Sequence, residues 1–214
     1  MAIKSQTASL SVSSASAATK TITGITSASP CVVSSTAHGY TQGQIVTISG
    51  VVGMPQINPS GGFGVYVVDL PAANTFNLKG VDATSFGSYV SGGLASLQTM
   101  VSVGSVTNLT GFDGTASEID VTNLQSTAKE FLVGLQDFGN VTMTIWLVTD
   151  TGQLRLRAIK TTAAVAAFTV GLSDGTVAAF AALVKQFSFD AGGPDSAVKG
   201  NVTLRVTGAP AWFA

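Results

Sequence analysis

Charge is what this sequence has least of. Only 10% of its 214 residues are Asp, Glu, Lys or Arg, where a soluble domain carries about 25%. The two signs nearly balance, ten Lys and Arg against eleven Asp and Glu. With no basic tract, the chain lacks the means for tight, phosphate-driven nucleic-acid binding. Histidine and cysteine are as scarce: His38 and Cys31 are the sole examples. One cysteine closes no disulfide within the chain, and one Cys with one His falls short of the roughly three or four protein ligands of a zinc site. A catalytic dyad would have to use His38, which sits in Ala37-His38-Gly39 with no acidic neighbour in sequence, so His38 and Cys31 read as structural. No glycine-rich phosphate loop follows a strand pattern. Long apolar runs are missing too. The best, residues 177–184, is closed by Lys185 and Gln186 and is far short of the ~20 residues of a membrane span. The first ten residues lack the apolar stretch of a secretory signal. The expectation is a protein with no cofactor, no metal and no catalytic site.

What is present is apolar and β-patterned. Hydrophobic residues make up 45%, and mean hydropathy is +0.43. An apolar, nearly uncharged chain without a membrane span fits a surface largely buried against copies of itself, because interface cores are depleted in charge. The few charges are uneven. Residues 1–100 hold Lys4, Lys20, Lys79, Asp69 and Asp82, and every other one lies in 101–214. The apolar period is mostly two, the mark of half-buried strands. Val141, Met143, Ile145 and Leu147 alternate with Thr142 and Thr144; Val202, Leu204 and Val206 alternate with Asn201, Thr203, Arg205 and Thr207. Residues 11–13, 45–48, 64–68 and 101–106 read as further strands, and 177–189 as one long, bent strand. Residues 151–160 break the pattern and predict a short helix with three cations, Arg155, Arg157 and Lys160, suited to a helix C-terminus or an acidic neighbour. Thr127-Ala-Lys-Glu130 has capping-box spacing, and either a helical turn or a polar loop fits it.

Two small, polar stretches, 13–19 and 91–96, read as linkers. Between them, turn signals at 38–43, 49–50, 60–62 and 73–75 mark a compact β module. The expected organisation is therefore one β domain of residues 1–19 and 96–214, interrupted by a small inserted β domain of residues 20–95. Asp113, Glu118 and Asp120 gather in a loop-like stretch without calcium-loop spacing and read as a solvated or partner-facing loop. Trp146, Trp212 and Phe213 read as packing or subunit contacts.

Residues 118–135 carry a more specific signal: Glu118-Ile-Asp-Val-Thr, then Ser126-Thr-Ala-Lys-Glu-Phe131, then Gly134-Leu135. This stretch resembles the tail tube proteins, or major tail proteins, of long, flexible-tailed bacteriophages. Residues 137–144, the helix at 150–160, the last strand ending Val206-Thr-Gly-Ala-Pro210 and the first at 1–12 are similar to theirs in order and spacing. The insertion, through Ser35-Thr-Ala-His-Gly39, residues 43–50 and Asn74-Thr-Phe-Asn-Leu78, resembles the first catalytic-cysteine half-domain of ubiquitin-activating enzymes. That is a likeness of fold with no ubiquitin chemistry attached. The tail tube resemblance implies a mainly β sandwich or barrel with one short α-helix, assembling as stacked hexameric rings around a lumen that conducts genomic DNA. It also implies tape measure, tail terminator and tip proteins as partners, no membrane, and a place in the virion after assembly in the host cytoplasm. Within it, Glu118, Asp120, Leu124, Thr127, Lys129, Glu130, Phe131 and Leu132, mixing charge with apolar anchors, are expected at the contact between subunits or rings. A β-sandwich adhesin or glycan-binding module, with an exposed aromatic platform, is the alternative that the residues leave open.

Overall fold

A computed structural model of the chain describes residues 6–58 and 63–213. Residues 1–5 of the expected first strand and the turn expected at 60–62 lie outside the described residues. The strands are β1 (Ser9–Thr21), β2 (Gly24–Ile25), β3 (Cys31–Ser34), β4 (Ile45–Val52), β5 (Phe63–Asp69), β6 (Thr75–Leu78), β7 (Ser91–Ser102), β8 (Val106–Gly111), β9 (Glu118–Asp120), β10 (Phe131–Val133) and β11 (Asn140–Trp146). The helix α1 (Thr151–Thr162) follows, then β12 (Val165–Gly171), β13 (Val177–Asp190) and β14 (Lys199–Phe213). The protein is mainly β with this one α-helix among the described residues. Twelve strands join in the order β2-β3-β6-β5-β4-β7-β1-β12-β13-β14-β11-β8, while β9 and β10 pair apart from them.

The alternations seen in the sequence place side chains as expected. Val141, Met143 and Ile145 are buried with Val202, Leu204 and Val206 in one core, together with Leu10, Val12, Phe168 and Phe180. A second core holds Ile22, Cys31, Val33, Tyr40, Ile48, Met54, Phe76 and Leu78. A small third cluster of Ile45, Val67, Ala167 and Ala179 sits between them. The bend expected in 177–189 is present as register shifts of β13 against β14 at Ala179/Ala181 and at Val184/Gln186.

Both stretches read as linkers are strands. Residues 13–19 lie within β1 and 91–96 within β7, and the two pair antiparallel from Ser11↔Ser102 to Thr21↔Leu94. Serine, alanine and glycine make a weak strand signal, yet their small side chains let two backbones pair, with Ser13 and Ala95 buried and most of the others at the surface. Register shifts at Ser13/Ala15 and Ser16/Thr19 mark bulges that bend this ladder. The strand expected over 101–106 is a corner instead: β7 ends at Ser102, Ser105 takes a positive φ of 60°, and β8 begins at Val106.

The helix fastens this corner. Asp150 caps it, accepting from the Gln153 N–H at 3.0 Å through Oδ1 and from the Gly104 N–H at 3.0 Å through Oδ2. Gln153 is fully buried. Its Nε2 donates to the carbonyls of Gly104 at 3.0 Å and Trp146 at 2.8 Å, and its Oε1 accepts from the Val148 N–H at 3.1 Å. A Cβ on Gly152 would stand 2.3 Å from the Ser102 carbonyl, so only glycine lets the helix start this close to β7. Leu156 and Ile159 face the core, and Leu154 is half exposed. The three cations meet backbone and ring rather than an acidic neighbour. Arg155 donates to the Ser13 carbonyl at 2.8 Å, Lys160 donates to the Lys185 carbonyl at 2.7 Å, and Arg157 lies 5.3 Å from the Phe187 ring.

Replacing Gln153 by leucine keeps the volume and strands three part-buried backbone groups. The expected cost is about 2–4 kcal/mol, read as a lower urea midpoint with an unchanged slope; a loss under about 0.5 kcal/mol would contradict this role.

Candidate assembly interface

Residues 114–136 leave the core as an arm. At its root, the Asp113 carboxylate accepts from the Asn140 N–H at 2.6 Å, and Asp137 accepts from the Gly139 N–H at 2.8 Å and from Arg205 at 2.6 Å. Gly139 has a φ of +67°, and a Cβ there would lie 2.2 Å from both Asp113 Oδ1 and the Gly114 nitrogen. Glycine is what allows the two sides of the root to touch.

Beyond the root, β9 and β10 form a short ribbon with Phe131 opposite Asp120, Leu132 opposite Ile119 and Val133 opposite Glu118. Period two sends Leu132 and Ile119 to one face and Phe131 and Val133 to the other. Neither face is covered: Ile119, Phe131, Leu132 and Val133 are all exposed, and Leu124 at the tip is completely so. A two-stranded ribbon alone is marginal in water, and this one is held by polar side chains. Lys129 Nζ lies 3.1 Å from Asp120 Oδ2 and 6.0 Å from the Phe131 ring. The Thr122 hydroxyl accepts from the Glu130 N–H at 3.0 Å. Ser126 donates to Glu130 Oε2 at 3.0 Å and accepts from the Asn123 N–H at 3.1 Å. Hydrogen bonds from the Thr122 side chain and backbone, then from Lys129, hold the Asp120 carboxyl below its ordinary value of 3.8. A carboxyl depressed by folding contributes stability above its unfolded pKa and loses it as pH falls, so this clasp stands at neutral pH and opens in acid.

Of the two readings for Thr127-Ala-Lys-Glu130, the polar loop is the one found: Thr127 is exposed in a bend, with no helix. Glu130, the far end of that spacing, is engaged by Ser126 and Thr122 instead, as serine and threonine side chains compete with a helix for the backbone. Glu118, Asp120, Lys129, Glu130, Phe131 and Leu132 come together on the ribbon, while Leu124 and Thr127 stand in the loop beyond it. Ile119, Val133 and Leu135 belong to the same exposed apolar set; the alternation Ile119, Val121 beside acidic residues was the available signal for the first of them.

His38 and Cys31 are both buried. The Tyr40 N–H donates to His38 Nδ1 at 3.0 Å, which leaves Nε2 to donate to the Thr75 carbonyl at 3.1 Å. The ring packs on Tyr40 and Phe76 at 5.0 and 5.1 Å. Cys31 Sγ faces the Thr26 carbonyl at 3.5 Å, and burial pushes the thiol up to about 11. It therefore stays protonated through mildly alkaline pH. At pH 8 a disulfide reagent should leave native Cys31 untouched and titrate it once the chain is unfolded in denaturant; rapid labelling of the native protein would contradict this burial.

Residues 89–179 match the family described as phage tail tube, lambda-like, and residues 30–99 match the first catalytic-cysteine half-domain of the ubiquitin-activating enzyme E1. No curated protein matches the sequence. Among solved structures, the chain is similar to a subunit of the virion of a native gene transfer agent, at 18% identity over 54% of this chain and 89% of that one, with a TM-score of 0.48. It is similar to a subunit of the tail of an empty gene transfer agent particle of C6 symmetry, at 18% identity over 54% of this chain and 87% of that one, also at 0.48. A subunit of the baseplate of the anti-feeding prophage aligns over 82% of this chain and 95% of that one at 8% identity and a TM-score of 0.42.

Proposed function

We propose that this chain, whose residues 89–179 match the lambda-like phage tail tube family, is a virion structural protein whose copies close into hexameric rings and stack into the DNA-conducting tube of the tail. The observation that carries the reading is the arm. A ribbon apolar on both faces, exposed on a chain with 10% charged residues, is a surface that a monomer does not need and an assembly does. The interface residues are Glu118, Asp120, Leu124, Thr127, Lys129, Glu130, Phe131 and Leu132.

The tube domain comprises residues 1–19 and 96–214, and residues 20–95 are an inserted domain. The two separate hydrophobic cores support this division. The insert lies on the outside of the tube, because about 75 residues would obstruct a lumen. Genomic DNA passes through that lumen transiently. The sparse cations of the chain keep phosphate contacts few, and each contact avoided is one fewer to break as DNA moves. Tape measure, terminator and tip proteins cap and gauge the assembly, which takes place in the host cytoplasm.

Negative-stain electron microscopy of the concentrated protein should reveal hollow tubes or stacked rings with six-fold class averages; particles that stay single at every concentration would count against the reading. Within the arm, Lys129→Glu replaces an ion pair with side chains 72% and 45% exposed by a repulsion. Exposed pairs contribute only about 0–1 kcal/mol, so the monomer should melt almost unchanged while tubes fail to grow. Normal tubes from this variant would remove Lys129 from the interface.

A further inference from the structure

The inserted half and the tube half enclose a cleft of about 390 Å3. One wall is formed by β5 and residues 79–86, with Tyr66, Lys79 and Phe86. The other is the end of β14, with Ala209, Pro210 and Trp212. The second wall exists because β14 bulges: its pairing with β13 jumps from Ala181↔Thr207 to Ala179↔Ala211. Trp212 is half exposed there. Lys79 is the single charged lining residue, with Nζ 5.5 Å from the Phe213 ring.

We infer that this cleft receives the tip of the arm of a neighbouring copy, with Leu124 seated against Trp212, Tyr66 and Phe86. Three observations converge. First, size: truncating one buried leucine to alanine elsewhere leaves a cavity of roughly 150 Å3, so about 390 Å3 accommodates such a side chain with its neighbours. Second, charge: the arm carries Glu118, Asp120 and Glu130 against Lys129 alone, and the one charged residue lining the cleft is a lysine, Lys79. Third, level: Phe112 packs its ring 5.3 Å from Trp212 and directly precedes Asp113, the residue that pins the arm's root. Root and cleft therefore lie at the same end of the tube half. The seven steps from Ser117 to Leu124 extend roughly 23 Å at about 3.3 Å each, enough to carry the tip to an adjacent subunit. Knob and hole are different surfaces of one chain, so their contact is heterologous and propagates head to tail until a ring closes. The ring in this account rests on the tail tube reading; the knob-in-cleft contact does not. It also gives the inserted half a part in assembly, as one wall of the socket.

The test is a cysteine pair in the full-length chain. Leu124→Cys and Ala209→Cys are both on exposed residues, and the buried Cys31 is silent. Under mild oxidation the double variant should give a ladder of disulfide-linked oligomers at least tenfold more abundant than either single variant. Leu124→Asp should remain folded and abolish the blue shift of Trp212 emission that concentrating the protein produces in a Trp146→Phe background. Dimers from Leu124→Cys alone would mean that arms meet arms, and would overturn the proposal. Wild-type tubes beside an unlinked double variant would overturn it and leave the tube reading standing. A wild-type chain that never assembles and a double variant that never links would overturn both.

Discussion

The antiparallel pair of β1 and β7 serves two cores at once, and the rest of the architecture depends on it. Near Leu10 and Val12 the pair belongs to the core under β11 to β14; near Ala95, paired with Lys20, it belongs to the second core. An insertion into a β domain must leave and return at neighbouring points. An antiparallel pair meets that condition, because its two ends at one side are adjacent by construction. The bulges at Ser13/Ala15 and Ser16/Thr19 then let the ladder turn as it passes from one core to the other. The cluster of Ile45, Val67, Ala167 and Ala179 adds a hydrophobic contact beside the ladder, so the two halves are joined by packing as well as by backbone bonds.

The same economy appears at the corner after β7. The chain there must stop pairing with β1, cross over and start β8, and the crossing leaves the Gly104 and Trp146 carbonyls and the Val148 N–H part-buried beneath the helix start. Buried backbone groups without partners are costly. One buried side chain, Gln153, satisfies all three, and Asp150 both caps the helix and takes the Gly104 N–H. The helix is thus less an independent element than a lid that brings an amide to a site where strands cannot satisfy their own bonds.

How much of this was legible in the sequence depends on the distance over which each feature is determined. Alternation in 141–147 and 201–207 is local, and it placed Val141, Met143, Ile145, Val202, Leu204 and Val206 in the core as expected. The helix was legible for the same reason, from Leu154 or Leu156 with Ala158 and Ile159 at near-helical spacing; Leu156 and Ile159 are the pair that is buried. Residues 13–19 and 91–96 were not, because serine, alanine and glycine acquire strand character only from each other across the ladder. Gln153 was invisible as a hub, since its three partners lie on segments far apart in the chain or in a loop with no pattern of its own. The apolar arm was half legible. Leu124, Phe131 and Leu132 stood out among charges, while Ile119 and Val133 showed their significance only when pairing placed them on opposite, uncovered faces.

An exposed ribbon with apolar faces is a hazard for any chain that must persist alone, since free edges and open apolar surface invite indiscriminate pairing. The arm limits that hazard locally. Its charges are concentrated where its apolar residues are: Lys129 and Asp120 flank Phe131, and Glu130 is tied down by Ser126. Screening by salt weakens such exposed pairs, and acid removes the carboxylate, while the apolar contact area is indifferent to both. In the proposed contact the charges therefore select the partner and the register, and covering Leu124, Leu132 and Ile119 is the driving force.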